Sequence, residues 1–335
     1  MPSYDSKSID FVVPWVDGSD PSWQAEFKKY KGDETLFSDT TDKRYRDWGL
    51  FKYWFRGVEK YAPWVNKVHL ITCGHYPDWL NLDHPKLNFV KHEDYIPEEF
   101  LPTFNVNPIE INLHRIKELS EKFVYFNDDL FLINDSKPSH FFKNHNPNDS
   151  AILSAYDGTG FSKIQLNNTA IINKYFTKKI CLKNNMLGWF NPKYGFELVR
   201  NLLLLPWNNF TGLYDYHLTN SYLKSTFEQI WETESDLLLN VSSNKFRNLN
   251  EDVTQNLFRF WQLASGKFNP INKHSLGDYL SLGVVDTDKA IEIFRESKKP
   301  LICLNDHDPA DLDKTIMELK KVFEEKFPNK SSFEL

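Results

Sequence analysis

The sequence predicts an α/β fold on a mostly parallel sheet, and three observations carry that prediction. Short apolar runs that read as buried strands alternate with segments of helical periodicity up to about residue 135. Several of those runs stop at turns containing Gly, Asn or Asp, as strands do where they open onto a loop. With 335 residues, 41% hydrophobic and 16% aromatic, the chain can bury the core of one large domain with insertions, or of a main domain and a smaller one.

The elements follow in order. Residues 9–16 form an apolar run ending at Asp17-Gly18-Ser19-Asp20-Pro21, a strand and its exit. Residues 48–61 carry apolar groups at helical spacing and are closed by Ala62-Pro63. Residues 68–72 read as a strand leaving through Cys73-Gly74, and residues 87–90 as another. Asn107-Pro108 opens a helix expected to run through Leu119, with the proline at a favourable early position. Residues 122–126 are a strand ending at Asn127-Asp128-Asp129. The stretch 143–209 is rich in Asn and is read as an insertion or cap. Beyond it, residues 216–233, 251–263 and 286–296 look helical, and residues 299–304 form a strand ending at Asn305-Asp306. Asp308-Pro309 then starts a helix reaching about Phe327, with a cap residue followed by an N1 proline.

Composition excludes several classes. A net charge of −6 is not that of a non-specific nucleic-acid binder. Three widely spaced cysteines, Cys73, Cys181 and Cys303, make neither a disulfide framework nor a zinc site. No apolar run is long enough to span a membrane, and no basic region followed by an apolar run opens the sequence. The expectation is a cytoplasmic protein, with peripheral contact at the inner face of a membrane left open. The glycines form no GxGxxG and no Walker-type loop, which disfavours dinucleotide oxidoreductases and P-loop kinases.

Three strand ends deliver oxygen ligands: Asp17 to Asp20, Asn127 to Asp129, and Asn305 to Asp308. Ligands of an open parallel sheet bind beyond the carboxyl ends of its strands. One Asn-Asp pair is ordinarily a turn or cap. Three such ends on separate strands suit Mg²⁺ or Mn²⁺, which take carboxylate and amide oxygens and can bridge a diphosphate. Arg44, Arg46 and Arg247 are candidate phosphate holders, because guanidinium forks match phosphate oxygens in pairs; for Arg46 a surface arginine is the slightly favoured reading. Arg44 and Asp47 bracket an expected helix start, where free N–H groups also attract phosphate. His217, expected at a helix start, can take a proton from a sugar hydroxyl at neutral pH. His114 falls inside an expected helix, where a hydrogen-bonded core histidine is the ordinary reading.

Taken together, four blocks of sequence resemble the Stealth family of sugar-phosphate transferases. This family includes bacterial capsular and receptor polysaccharide phosphotransferases and the catalytic part of N-acetylglucosamine-1-phosphotransferase. The first block is Ile9-Asp10-Phe11-Val12-Val13-Pro14-Trp15-Val16-Asp17-Gly18-Ser19-Asp20. The second runs from Arg44-Tyr45-Arg46-Asp47 through Leu101-Pro102-Thr103-Phe104-Asn105 and His114-Arg115-Ile116 to Phe126-Asn127-Asp128-Asp129. The third spans His217, Lys245-Phe246-Arg247, Glu251-Asp252 and Gln255, and the fourth Cys303-Leu304-Asn305-Asp306 with the tail Ser332-Phe333-Glu334.

The resemblance implies a nucleotide-diphosphosugar-binding α/β core similar to the GT-A type. Its two parts would be residues 1–142 and 211–335, flanking a variable insertion over 143–210. It implies catalytic roles for His217, Arg247, Asp252 and Arg44, and substrate contacts at Asp17, Gly18, Asp47, Asn105, His114 and Asn305. It implies a Mg²⁺ or Mn²⁺ ion at Asn127, Asp128, Asp129 and Asp306. The expected partners are a UDP-hexose or UDP-N-acetylhexosamine donor and an oligosaccharide acceptor, lipid-linked or free. The expected reaction transfers hexose-1-phosphate and releases UMP. Spacing alone fits a metal-dependent glycosyltransferase releasing UDP equally well, and a non-catalytic carbohydrate-binding protein less well.

Overall fold

The structure is a computed structural model and describes residues 8–31 and 45–335. Arg44 lies outside the described residues. Strand β1 (Ile9–Pro14) is almost wholly buried, as a strand covered on both faces must be. Helix α1 (Pro21–Lys31) follows, then α2 (Phe51–Tyr61), β2 (Val68–Thr72), β3 (Leu87–Lys91), α3 (Val106–Ile111), β4 (Lys122–Tyr125) and β5 (Leu130–Leu132). The middle of the chain holds α4 (Pro138–Phe141), β6 (Phe142–Lys143), β7 (Asn146–Asp149) and four helices: α5 (Ser162–Tyr175), α6 (Lys178–Asn184), α7 (Met186–Trp189) and α8 (Leu198–Leu203). The last part contains β8 (Asn220–Leu223), α9 (Lys224–Thr233), α10 (Ser235–Ser243), α11 (Asn256–Ala264), β9 (Asn269–Pro270), β10 (Gly277–Leu282), α12 (Thr287–Glu296), β11 (Leu301–Asp306) and α13 (Leu312–Lys326).

The main sheet has the order β3-β2-β1-β4-β8. Its first four strands are parallel, with Phe11 opposite Val68 and Ile9 opposite Lys122. β8 closes the edge antiparallel, Tyr125 facing Asn220. A second sheet, β10-β11-β5, grows from the turn after β4: β11 lies parallel to β10 and antiparallel to β5, with Cys303 opposite Leu130. The two sheets therefore meet at residues 126–130. Helix α2 packs so closely on β5 that a Cβ on Gly57 would sit 2.4 Å from the Leu132 carbonyl oxygen, so only glycine fits there. The tail is pinned to the same helix by Arg56, whose Nε and Nη2 donate to the two Glu334 oxygens at 2.8 Å each.

Local pattern and final structure disagree at four places, each for a tertiary reason. The helix expected over 107–119 is only Val106–Ile111. Asn112 ends it by turning its amide onto the Pro108 carbonyl and Ser242, and His114 falls in a 3-10 turn. The helical pattern over 216–233 is split: Asn220–Leu223 pairs with β4, and the helix starts only at Lys224. Ladder hydrogen bonds outweigh the small propensity differences that favoured helix. The helix expected from Glu251 starts at Asn256, because Asp252 is drawn into a hydrogen-bond hub. The last helix is capped by Asp311, which accepts from Lys314 N at 3.0 Å, and not by Asp308, which has a positive φ of 53°. Strands β5 and β10 had no counterpart in the sequence reading. The stretch 143–210, left unassigned there, is mostly helical.

Candidate active site

Sheet order explains where the site forms. The chain leaves β1 toward β2 and β3 on one side and returns to β4 on the other, so a crevice opens where β1 and β4 diverge. Trp15 follows β1 and Asn127-Asp128-Asp129 follows β4 on that edge. The second sheet brings the end of β11 to the same place. Leu304 N donates to the Asp129 carbonyl at 2.9 Å, and Asn305 Nδ2 donates to Asp129 Oδ2 at 3.2 Å. A cavity of about 700 Å³ results. Asp47, Asn105, Asn127, Asp128, Asp129, His217, Arg247, Asn305 and Asp306 all line it. Nine of the expected site residues thus converge from six stretches of chain. A narrower slot of about 150 Å³ adjoins it, sharing Trp15, Tyr45, Phe104 and Asp128.

Electrostatics single out the acidic wall. Enclosure by protein, then the charges of Asp129 and Asp47, pushes Asp128 up to about 7. Asp129 is raised by burial despite the Asn305 amide, and Asp47 by burial and then by Asp17 against the Gly49 N–H. Asp129 Oδ1 is buried with no hydrogen-bond partner among the described residues. An orphaned carboxylate oxygen among mutually repelling carboxylates is an unmet demand for positive charge. No three His, Cys, Asp or Glu side chains among the described residues are arranged to hold a metal by themselves. The set therefore fits an ion that takes one or two carboxylates and completes its shell with phosphate and water, as Mg²⁺ does.

The basic side of the cavity comes from other elements. His217 lies in the loop before β8 with a φ of 49°, not at a helix start. Its ring stacks on Tyr279 at 5.0 Å, and its backbone N–H donates to Asp215 Oδ1 at 3.1 Å. The Arg247 guanidinium sits over the Phe161 ring at 5.3 Å. Arg46, for which a surface role is the favoured reading of the sequence, instead lines the cavity and donates to Asp306 Oδ2 at 2.9 Å. Trp48 Nε1 donates to the same oxygen at 3.3 Å. Asp306, expected as a metal ligand, is thus engaged by an arginine and an indole.

Other expected residues stand outside the cavity. Asp252 is fully buried and accepts from Asn105, Asn107 and Asn244 side chains and from Asn248 N, at 2.7–2.9 Å. With its oxygens filled, it holds the wall in place and does not line the cavity. Asn105 faces the cavity, but its side chain caps α3 through Asn107 N and donates to Asp252. Asp17 accepts from Ser19 N and Oγ in a tight turn. Gly18 N donates to the Tyr45 carbonyl at 3.0 Å, and a Cβ there would come within 2.3 Å of that oxygen. Gly18 therefore seats Tyr45, a lining residue. His114 packs on Trp231 at 5.5 Å, lines a separate surface hollow, and is kept neutral by burial and then Arg115, which lower it to about 3. The sequence reading missed the aromatic wall of Trp15, Tyr45, Phe104 and Phe161. A small cluster of Trp23, Phe27, Phe104 and Phe246 supports it, with Tyr45 packed alongside. Only the density of aromatics could have signalled it.

Residues 7–35 match Stealth protein conserved region 1 and residues 44–149 match conserved region 2. The chain is 47% identical to the capsular polysaccharide phosphotransferase WcwK of Streptococcus pneumoniae, over 98% of both chains. It is 41% identical to the receptor polysaccharide phosphotransferase WefC of Streptococcus oralis, over 98% of this chain and 99% of that one. Among solved structures, the galactosyltransferase LgtC in complex with donor and acceptor sugar analogs aligns over 94% of this chain and 95% of that chain. Its TM-score is 0.42 at 9% identity, too loose a likeness to carry an argument. Identity at this level along the whole length is decisive, and the chain belongs to the Stealth family of polysaccharide phosphotransferases.

Proposed function

We propose that the chain transfers hexose-1-phosphate from a UDP-hexose or UDP-N-acetylhexosamine to a hydroxyl of an oligosaccharide acceptor, building a phosphodiester into a surface polysaccharide and releasing UMP. The observation that carries the reading is the convergence of Asp128, Asp129, Asn305, His217 and Arg247 on one cavity of a Stealth protein. The aromatic slot between Trp15, Tyr45 and Phe104 suits a nucleobase.

Mg²⁺ or Mn²⁺, held by Asp128, Asp129 and the Asn127 amide, would offset the diphosphate charge and stabilise the leaving phosphate. Asn305 orients Asp129 for that role. An imidazole nitrogen of His217 takes the proton as the acceptor oxygen bonds to the phosphorus nearest the hexose. The bond from that phosphorus to the bridging oxygen breaks, and UMP leaves with that oxygen. Arg247 and Arg46 supply guanidinium charge beside the departing phosphate.

The test incubates purified protein with Mg²⁺ or Mn²⁺, a panel of UDP-sugars and an acceptor glycan extract, and identifies the nucleotide released. UMP, lost on chelation, together with a phosphodiester resonance in phosphorus NMR, supports the reading. UDP instead means transfer at the anomeric carbon, and no nucleotide means binding without turnover.

A further inference from the structure

A second face of the molecule is built unlike the rest. Along residues 178–207, helices α6 to α8 turn their apolar side chains outward. Leu187 is 80% and Phe196 89% exposed, and Ile180, Leu202, Leu203 and Trp207 are each more than half exposed. These side chains belong to one packed unit. Lys178 Nζ donates to the Leu204 carbonyl, Asn201 Nδ2 to that of Trp189 and Tyr194 OH to that of Gly188, each at 2.7 Å. Buried Cys181, Leu182, Trp189, Tyr194 and Asn201 anchor the unit, so the exposed residues are left over after the core is filled. Exposed apolar clusters of this kind mark interaction surfaces.

Charge decides what covers it. Residues 178–207 contain five lysines and arginines and a single acid, Glu197, in a chain of net charge −6; Lys178 is buried under the face, which leaves Lys179, Lys183, Lys193 and Arg200. That acid accepts from Tyr216 OH at 2.8 Å. Leucine, phenylalanine and tryptophan interleaved with lysine is the composition of helices that lie in a membrane interface. A second copy of the chain is a poor fit, since a two-fold contact would set this basic face against itself. No helix of the described residues is long and apolar enough to cross a membrane, so contact at this face would be peripheral. Helix α5 joins the face to the active site. Its first turn follows Phe161 on the cavity wall, and its 14 residues run about 21 Å toward α6.

We propose that the α6–α8 face docks on an anionic lipid bilayer, with its apolar side chains in the interfacial layer and its lysines on the headgroups. Docking would hold the cavity within reach of an acceptor anchored in that bilayer. It does not depend on the proposed reaction and is tested without turnover.

Full-length protein is sedimented with vesicles of phosphatidylcholine alone and of phosphatidylcholine with an equal part of phosphatidylglycerol. The expected result is partitioning at least about tenfold stronger on the anionic vesicles, weakening with salt. Leu202→Gln with Leu203→Gln should lower it about tenfold while the thermal unfolding midpoint stays put. Lys179→Glu with Lys183→Glu, on exposed positions of α6, provides a second variant that leaves the apolar residues intact and should also lower anionic binding. Equal partitioning of wild type and both variants overturns the proposal. So does absence of vesicle binding together with a solution dimer that the leucine variant dissociates.

Discussion

Asn305 donates its side-chain amide to Asp129 Oδ2 at 3.2 Å, joining the end of β11 to the turn after β4 across 176 positions of sequence. Asp129 Oδ1 is buried and has no hydrogen-bond partner among the described residues.

Asn305→Ala should therefore loosen Asp129 without unfolding the sheet. The expected effect is a loss of about 10- to 100-fold in affinity for Mn²⁺ in the presence of UDP, with a parallel loss of transfer. Titration calorimetry of Mn²⁺ into the UDP complex checks it, and an unchanged affinity would sink the positioning role.

His217→Ala should lower kcat by about 10²- to 10⁴-fold, the usual contribution of a general base, with little change in donor KM. His217→Gln keeps ring-sized bulk near Tyr279 but not the basicity, and should be equally slow. A variant whose loss lies wholly in KM would show that the histidine binds and does not move a proton.

Asp252 separates structure from chemistry. Asp252→Ala removes the acceptor shared by the buried Asn105 and Asn107 amides, the half-buried Asn244 amide and the Asn248 N–H, and should cost about 3 kcal/mol of stability. Urea denaturation measures this. Full stability combined with abolished transfer would return Asp252 to the catalytic set.

Glu110 makes stability depend on pH. Burial, outranking the donors Tyr125 OH and Gln255 N, raises its carboxyl from the ordinary 4.5 to about 7. A raised folded-state value means the folded protein binds the proton more tightly than the unfolded chain. Its contribution is complete below pH 4.5 and is lost as pH rises to 7 and beyond. That loss is roughly 3 kcal/mol. Glu110→Gln should flatten this part of the profile by that amount. Urea midpoints of both proteins at pH 5 and pH 8 read the difference directly, and parallel profiles refute it.

Much of the site was legible because strand ends announce themselves locally. Asn127-Asp128-Asp129 and Asn305-Asp306 follow apolar runs, and both reach the cavity. His217 was found for the wrong local reason, a helix start that the structure replaces with a left-handed loop residue before β8. Asp252 and His114 were misjudged because a polar residue bound for a buried hub and one bound for a binding wall look the same in one dimension. Phe161 carried no local mark at all.

Sequence alone determined the parallel β1, β2, β3 and β4 ladder, the carboxylates at its edge and the family, since apolar period and turn residues are properties of short segments. Tertiary structure alone decided that Asn220–Leu223 is strand and not helix, that β10 and β11 bring Asn305 to Asp129, and that Asp306 answers Arg46. Each depends on a partner far along the chain, and the energy of pairing with that partner exceeds any preference written in the neighbouring residues.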